Sequence, residues 1–157
     1  MKSLYFYNTD IGKIGIADNG EAITNVYFNE SPQPKDIEIK ETDLIKEAAQ
    51  QLKEYLAGKR KSFDIPLMPE GTEFQQNVWK ALQQIPYGKT CSYGEIAGKI
   101  GNPKACRAVG MANNKNPIGI FIPCHRVIGA NGKLVGYAGG LEMKEHLLAI
   151  EKINADK

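Results

Sequence analysis

A chain of 157 residues, 42% apolar and 24% charged, has room for one ordinary domain or two small ones and is too apolar to stay disordered. No run approaches the ~20 apolar residues of a membrane span, and Lys2 leads into no apolar stretch long enough for a signal peptide, so a cytoplasmic protein without membrane contact is expected. The net charge of +2 hides an asymmetry: residues 1–70 hold nine Lys/Arg against twelve Asp/Glu, whereas residues 71–157 hold eleven against six.

Residues 1–30 read as strands. "LYFYNT", "GKIGIAD" and "AITNVYFNE" are short runs rich in β-branched and aromatic residues, and Asp18-Asn19-Gly20 between the last two is a hairpin signal. "SPQPKDIEIK" reads as an exposed connection. From Thr42 the period changes: Leu44, Ile45, Ala48, Ala49, Leu52, Tyr55 and Leu56 share one face of a helix ending at Gly58. "FDIPLMPEG" follows as a short strand running into a Pro/Gly link. The first 70 residues therefore form a small α/β module without evident chemistry.

The second half, residues 71–157, opens with a capping box, Thr72 with Gln75, ahead of a helix that buries Phe74, Val78 and Leu82. Ser92 with Glu95 makes a second box for a short helix carrying Ile96, Ala97 and Ile100 and stopping at Gly101. Asn102 is expected to cap a third helix with Pro103 at its first position. Two short helices joined through a glycine turn have the layout of a helix-turn-helix, although any packed helix pair looks similar.

On the third helix Ala105, Ala108, Val109 and Ala112 lie at inward spacing. The opposite side carries Pro103, Arg107, Gly110 and Asn114. Apart from Arg107 this face is small, so a bulky partner can approach the backbone. Cys106 flanks it and reads as structural. Eight basic residues and one acid, Glu95, lie between Lys80 and Lys133, a balance that suits a polyphosphate partner or a merely solvated surface.

The cysteines at 91, 106 and 124 are odd in number and match no CxxC spacing, which argues against a disulfide framework or a cysteine-rich zinc site. The chemistry-bearing stretch is "FIPCHRVIGANG", residues 121–132. Cys124 is either a buried strand-end cysteine or a nucleophile that must react as thiolate. His125 and Arg126 are cations that favour ionisation, and a modest depression of the thiol pKa is expected. On an extended strand, adjacent side chains point to opposite faces, so a Cys124–His125 dyad needs a bridging water or a bend after Pro123. His146 reads as a helix-surface or core residue. "GKT" at 88–90 is no P-loop, because Gln83 stands where the first glycine belongs. "GYAGGL" at 136–141 is a glycine-rich loop leading into a helix.

In combination these parts resemble one family, the methylated-DNA–protein-cysteine S-methyltransferases, which repair O6-alkylguanine. The carriers are "SYGEIA" at 92–97, "GNPKACRAVGMANNKNP" at 101–117, "IPCHRVIG" at 122–129 and "GYAGGLEMKEHLLAIE" at 136–151. The resemblance implies an α/β (α+β) fold. A ribonuclease-H-like N-terminal module (1–70) would precede a mainly helical C-terminal domain (71–157) with a helix-turn-helix and an active-site cysteine after a short strand.

It also implies roles. Cys124 is the alkyl acceptor; His125 is linked to it through a water, with Glu151 on the far side of the imidazole. Arg107 is the finger inserted where the damaged nucleotide has turned out, with Pro103, Gly110 and Asn114 on the DNA-facing side of the same helix. Tyr93 crowds the nucleotide's phosphate and gives a proton to the leaving base, and Asn116 braces the turn before the active-site strand. Tyr137 and Val127 line the pocket, and the backbone amide of Ala138 donates to the base oxygen. Larger relatives carry zinc in the N-terminal module; this chain lacks such ligands, so no metal or cofactor is expected. The implied partner is double-stranded DNA containing O6-alkylguanine, bound by a monomer. The thioether product has no activated leaving group, so each molecule acts once. A module that recognises damage without repairing it would not need Cys124, and a helix-turn-helix regulator would leave the Cys124–His125 pair unexplained.

Overall fold

The computed structural model describes residues 2–28, 34–134, 136–137 and 139–156. The chain divides into two compact units, Met1–Pro69 and Glu70–Lys157.

The first unit is a four-stranded sheet in the order β3-β2-β1-β4 with one helix. Strands β1 (Ser3–Thr9), β2 (Gly12–Asp18) and β3 (Ile23–Phe28) form an antiparallel meander, with Leu4 opposite Ala17 and Ile16 opposite Val26. The β2–β3 turn is set by Asn19, whose Oδ1 accepts from the backbone N–H of Glu21 (2.9 Å) and Ala22 (3.0 Å), while Gly20 takes φ +93°. The stretch expected as a plain connection contributes β4 (Glu38–Ile39), a short exposed strand parallel to β1. Two residues are too short to show a period, so sequence gave no sign of it.

Helix α1 (Asp43–Leu56) starts where Thr42 Oγ1 accepts from Ile45 N, and Thr42 donates to Asp18 Oδ2 at 2.6 Å, tying the helix start to the end of β2. Ile45, Ala48, Ala49, Leu52 and Tyr55 are buried, at about 1.5–3 kcal/mol for each large aliphatic side chain. "FDIPLMPEG" supplies one bridge, Leu67 to Ile23, rather than a full strand, because its prolines cannot donate to a ladder.

The second unit contains helices α2 (Glu73–Leu82), α3 (Tyr93–Lys99), α4 (Cys106–Asn114) and α5 (Leu141–Asn154), with β5 (Cys91–Ser92) parallel to β6 (Val127–Ile128). Both expected capping boxes form. Trp79 is 1% exposed, and its Nε1 donates to Ala112 O at 2.9 Å, joining α2 to the last turn of α4.

Helix α4 begins later than expected. Ala105 is its N-cap, and Asn102 to Ala105 instead form a turn closed by Ala105 N donating to Asn102 O at 2.9 Å. Gly101 at φ +79° swings the chain into that turn and consumes the residues expected to begin the helix. The inward face rotates accordingly: Val109, Ala112 and Asn113 are buried, whereas Ala108 is exposed and Phe74 only half-buried.

Candidate functional site

The backbone at Cys124 departs from the strand that sequence suggested. Pro123 (φ −79°, ψ 62°) centres an inverse γ-turn in which Cys124 N donates to Ile122 O at 2.7 Å. Cys124–Arg126 then form one 3-10 turn, and strand β6 comes after it. The chain therefore bends directly after Pro123, one of the two ways, beside a bridging water, in which adjacent Cys124 and His125 could be linked. Upstream, Ile120 holds φ +73°, a costly conformation for a β-branched residue. Asn116 braces this segment: its Oδ1 accepts from Ile118 N at 3.0 Å and its Nδ2 donates to Ile122 O at 2.9 Å.

Cys124 is 4% exposed, and His125 and Glu151 are buried beside it in the chain fold. His125 Nε2 lies 2.6 Å from Glu151 Oε2. The same carboxylate accepts from Arg126 Nε (2.8 Å) and Nη2 (3.1 Å) and from Gly88 N (3.0 Å), while Arg126 Nη1 donates to Ile85 O at 2.7 Å. Burial alone would raise the Glu151 pKa, but hydrogen bonds and charge from His125 and Arg126 overcome it and hold the carboxyl at about 2. Burial, the largest cause, lowers the pKa of His125 despite Glu151, so the ring is neutral. Because the ionised carboxylate can only accept, Nε2 carries the proton and Nδ1 is the basic nitrogen.

The Cys124 thiol does not show the expected depression. Burial pushes it up to about 11, against the Asn116 side chain and the positive charge of Lys144, which both favour the thiolate. Lys144 is fully buried and donates from Nζ to Val127 O at 2.6 Å. A lysine in α5 was not selected from sequence, because its neighbours Glu142 and Glu145 make it look like surface charge. Arg126 was seen only as a cation near sulfur; its bidentate grip on Glu151 is a contact between residues 25 apart. Asn113 was also missed. It is 3% exposed and donates from Nδ2 to Cys124 O at 3.4 Å.

The parallel pairing of Cys91 with Val127 and of Ser92 with Ile128 brings the start of α3 alongside the Cys124 turn. Tyr93 follows, half-buried. Burial first, then the charges of Cys124 and Cys106, raise its pKa, so its hydroxyl stays a donor. A Cβ placed on Gly110 would lie 3.8 Å from the Tyr93 ring. Tyr93, Cys106, Arg107, Gly110 and Asn114 line one open surface depression, and Cys106 is exposed there rather than part of the core. Pro103 is exposed in the turn before α4. Tyr137 meets the His125 ring edge-on at a centroid distance of 6.5 Å, and Val127 is fully buried. Ala138 lies outside the described residues. His146 is exposed. Among the described residues no group of three His, Cys, Asp or Glu could hold a metal ion, and no helix is long and apolar enough to cross a membrane.

A cysteine, a histidine and a carboxylate gathered beneath a helix-turn-helix, after a separate sheet-and-helix unit, define a recognisable class. Residues 73–153 match the model of the 6-O-methylguanine DNA methyltransferase DNA binding domain, and residues 4–69 match the ribonuclease-like domain of the same proteins. A methylated-DNA–protein-cysteine methyltransferase of Methanosarcina acetivorans is 53% identical over 148 residues, spanning 92% of this chain and 95% of the relative. The constitutive one of Bacillus subtilis is 48% identical over 153 residues, spanning 93% of each. The crystal structure of Mycobacterium tuberculosis OGT in complex with DNA superimposes with a TM-score of 0.92 at 47% identity, covering 97% of this chain and 94% of that one. The chain belongs to the 6-O-methylguanine DNA methyltransferase family.

Proposed function

We propose that this protein repairs alkylated DNA by moving the alkyl group of O6-alkylguanine onto Cys124, irreversibly and once per molecule. The observation that carries this reading is the juxtaposition of buried Cys124 with the His125–Glu151 pair, in the unit whose helix α4 exposes Arg107. It acts as a monomer in the cytoplasm on double-stranded DNA.

Helix α4 lies against the duplex, and Arg107 fills the space left by an everted nucleotide. Extruding a base costs a few kcal/mol, less when damage has already weakened its pairing. Tyr93 crowds the phosphate of that nucleotide, and Tyr137 and Val127 form the pocket around the base. Nδ1 of His125 takes the thiol proton through a water. The sulfur–carbon bond forms as the carbon–oxygen bond breaks, and the electron pair goes to the guanine. The Tyr93 hydroxyl gives the base its proton and regains one from the imidazolium through water. Free guanine in DNA and S-alkylcysteine result. A thioether has no activated leaving group, which makes the protein a single-use acceptor.

The test is the mass of the Cys124 peptide after incubation with duplex DNA containing O6-methylguanine. A gain of one methyl group, absent with Cys124→Ala, is the expected result. An unmodified Cys124 with the lesion intact, or normal repair by Cys124→Ala, overturns the reading.

A further inference from the structure

The stretch "IPYGKT" at 85–90 is no phosphate loop, yet its turn holds an anion of the protein's own. Lys89 N donates to Pro86 O at 3.0 Å, and Gly88, the third residue of that turn, takes φ +79°, the left-handed conformation that calls for glycine. A side chain there would also press on Ala155, whose Cβ lies 2.7 Å from the place of the added carbon. The N–H so presented donates to Glu151 Oε1 at 3.0 Å. Three residues earlier, Ile85 O accepts from Arg126 Nη1 at 2.7 Å. Between them the Tyr87 ring lies 5.7 Å from Arg126 Cζ, within reach of a cation–π contact. One turn therefore touches both members of the ion pair behind His125. No step of the transfer uses Tyr87.

Arg126 is 7% exposed, so water competes with Glu151 for its guanidinium, and an aromatic ring beside the cation favours the gripping arrangement. Burial first, then the charge of Glu151, raises the Tyr87 pKa, so the ring stays neutral and keeps its electron-rich face. The consequence falls on His125. Facing its imidazole are Glu151 and Lys144 from α5, Cys124 and Arg126 from its own turn, and Tyr137 edge-on. Glu151 favours the imidazolium, whereas Arg126 and Lys144 oppose it. A guanidinium that swings towards water leaves Glu151 less opposed, and the imidazole then keeps a proton to higher pH. We propose that Tyr87 is a positioning residue: its ring holds Arg126 on Glu151 and so keeps His125 in its neutral, proton-accepting form. The inference rests on the reading that His125 is the base for Cys124.

The experiment follows the two histidine imidazoles by NMR between pH 5 and pH 9 in the native protein, Tyr87→Leu and Tyr87→Phe, with His146→Gln assigning the signals. Single-turnover methyl transfer to Cys124 from duplex containing O6-methylguanine is measured over the same range. Tyr87→Leu is expected to raise the His125 midpoint, and with it the acid limb of the rate profile, by about half a unit, so that rates on that limb fall about threefold. Rates above the limb stay near native. Tyr87→Phe keeps the ring and is expected to match the native protein. A Tyr87→Leu variant slowed equally at every pH, its midpoint unmoved, shows Tyr87 to be only a packing residue and overturns the proposal. So does a His125 ring that stays neutral down to pH 5 in both proteins. A Tyr87→Phe variant shifted as far as Tyr87→Leu assigns the effect to the hydroxyl and overturns it as well. Should Tyr87→Leu fail to fold, Tyr87→Met is judged by the same midpoint. Absence of transfer from the native protein at every pH would instead overturn the proposed function, while the midpoint can still be read, so the two failures are distinguishable.

Discussion

Arg126 grips Glu151 through two hydrogen bonds, of 2.8 and 3.1 Å, on the carboxylate that also receives His125. The pair determines what the histidine can do. Glu151 is kept anionic by the hydrogen bonds and charge of His125 and Arg126 together, so it fixes the proton of the imidazole on Nε2 and does not accept it. Arg126 in turn offsets part of the field that Glu151 would exert on the ring, leaving burial to hold His125 neutral. A neutral imidazole with Nδ1 unprotonated is the form a general base needs.

Acid should therefore weaken the fold in a defined window. The Glu151 pKa falls from 4.5 when free to about 2 in the folded chain, so as pH drops the unfolded chain binds this proton first. The resulting stability, about 3 kcal/mol, is complete above the unfolded pKa and disappears as pH falls towards the folded one. His125 acts with the same sign, since the unfolded ring protonates more readily than the buried one. Urea denaturation between pH 7 and pH 3 is the measurement. Glu151→Gln should cost about 3–5 kcal/mol at pH 7, because Arg126 is left buried without its partner. The variant should also show a flatter pH dependence below pH 5. Equal slopes for both proteins would remove Glu151 as the group responsible.

Lys144 should control how readily Cys124 ionises. Its charge favours the thiolate in a place where burial opposes it. Replacing it by Met keeps the side-chain length and removes the charge, so the limb of the pH–rate profile for Cys124 methylation should move to higher pH by about one unit, equivalent to about 1.4 kcal/mol. Rates measured between pH 6 and pH 9 on methylated duplex would show this. An unmoved limb would confine Lys144 to its hydrogen bond with Val127 O.

Features decided by nearest neighbours were legible in the sequence. Thr42, Thr72 and Ser92 cap the helices they announce, because a side-chain oxygen and an N–H three residues on are all that a cap requires. The start of α4 was misread because Asn102-Pro103 fits two local solutions, a cap or a turn, and the chain takes the turn. Lys144, Arg126 and Asn113 carry no local signal at all. Their partners Val127, Glu151 and Cys124 lie 17, 25 and 11 residues away, and only the fold brings them together. The position of Cys124 was foreseen but not its 3-10 turn, which follows from the γ-turn at Pro123 rather than from any hydrophobic period.

Arg107 projects from the outer face of α4 and is exposed, so Arg107→Ala should leave stability within about 0.5 kcal/mol of native. Repair of duplex DNA should fall at least about tenfold, the difference a loss of 1.4 kcal/mol makes. Transfer from free O6-methylguanine base should be unaffected. Single-turnover rates on the two substrates decide the matter, and equal losses would take the finger role from Arg107.

Gly110 separates the demands of the helix from those of the partner. A methyl group there would meet Tyr93 ring carbons at 3.8 Å, an ordinary contact, so Gly110→Ala fits the folded protein. It should gain about 0.5–1 kcal/mol from better helix propensity. Gly110→Leu fills the depression between Tyr93, Arg107 and Asn114. If that depression receives the duplex, the leucine variant should lose DNA affinity while it melts no lower than native. Thermal melts and duplex titrations at fixed salt test both, and unchanged affinity in Gly110→Leu would mean that this face of α4 does not approach the DNA closely.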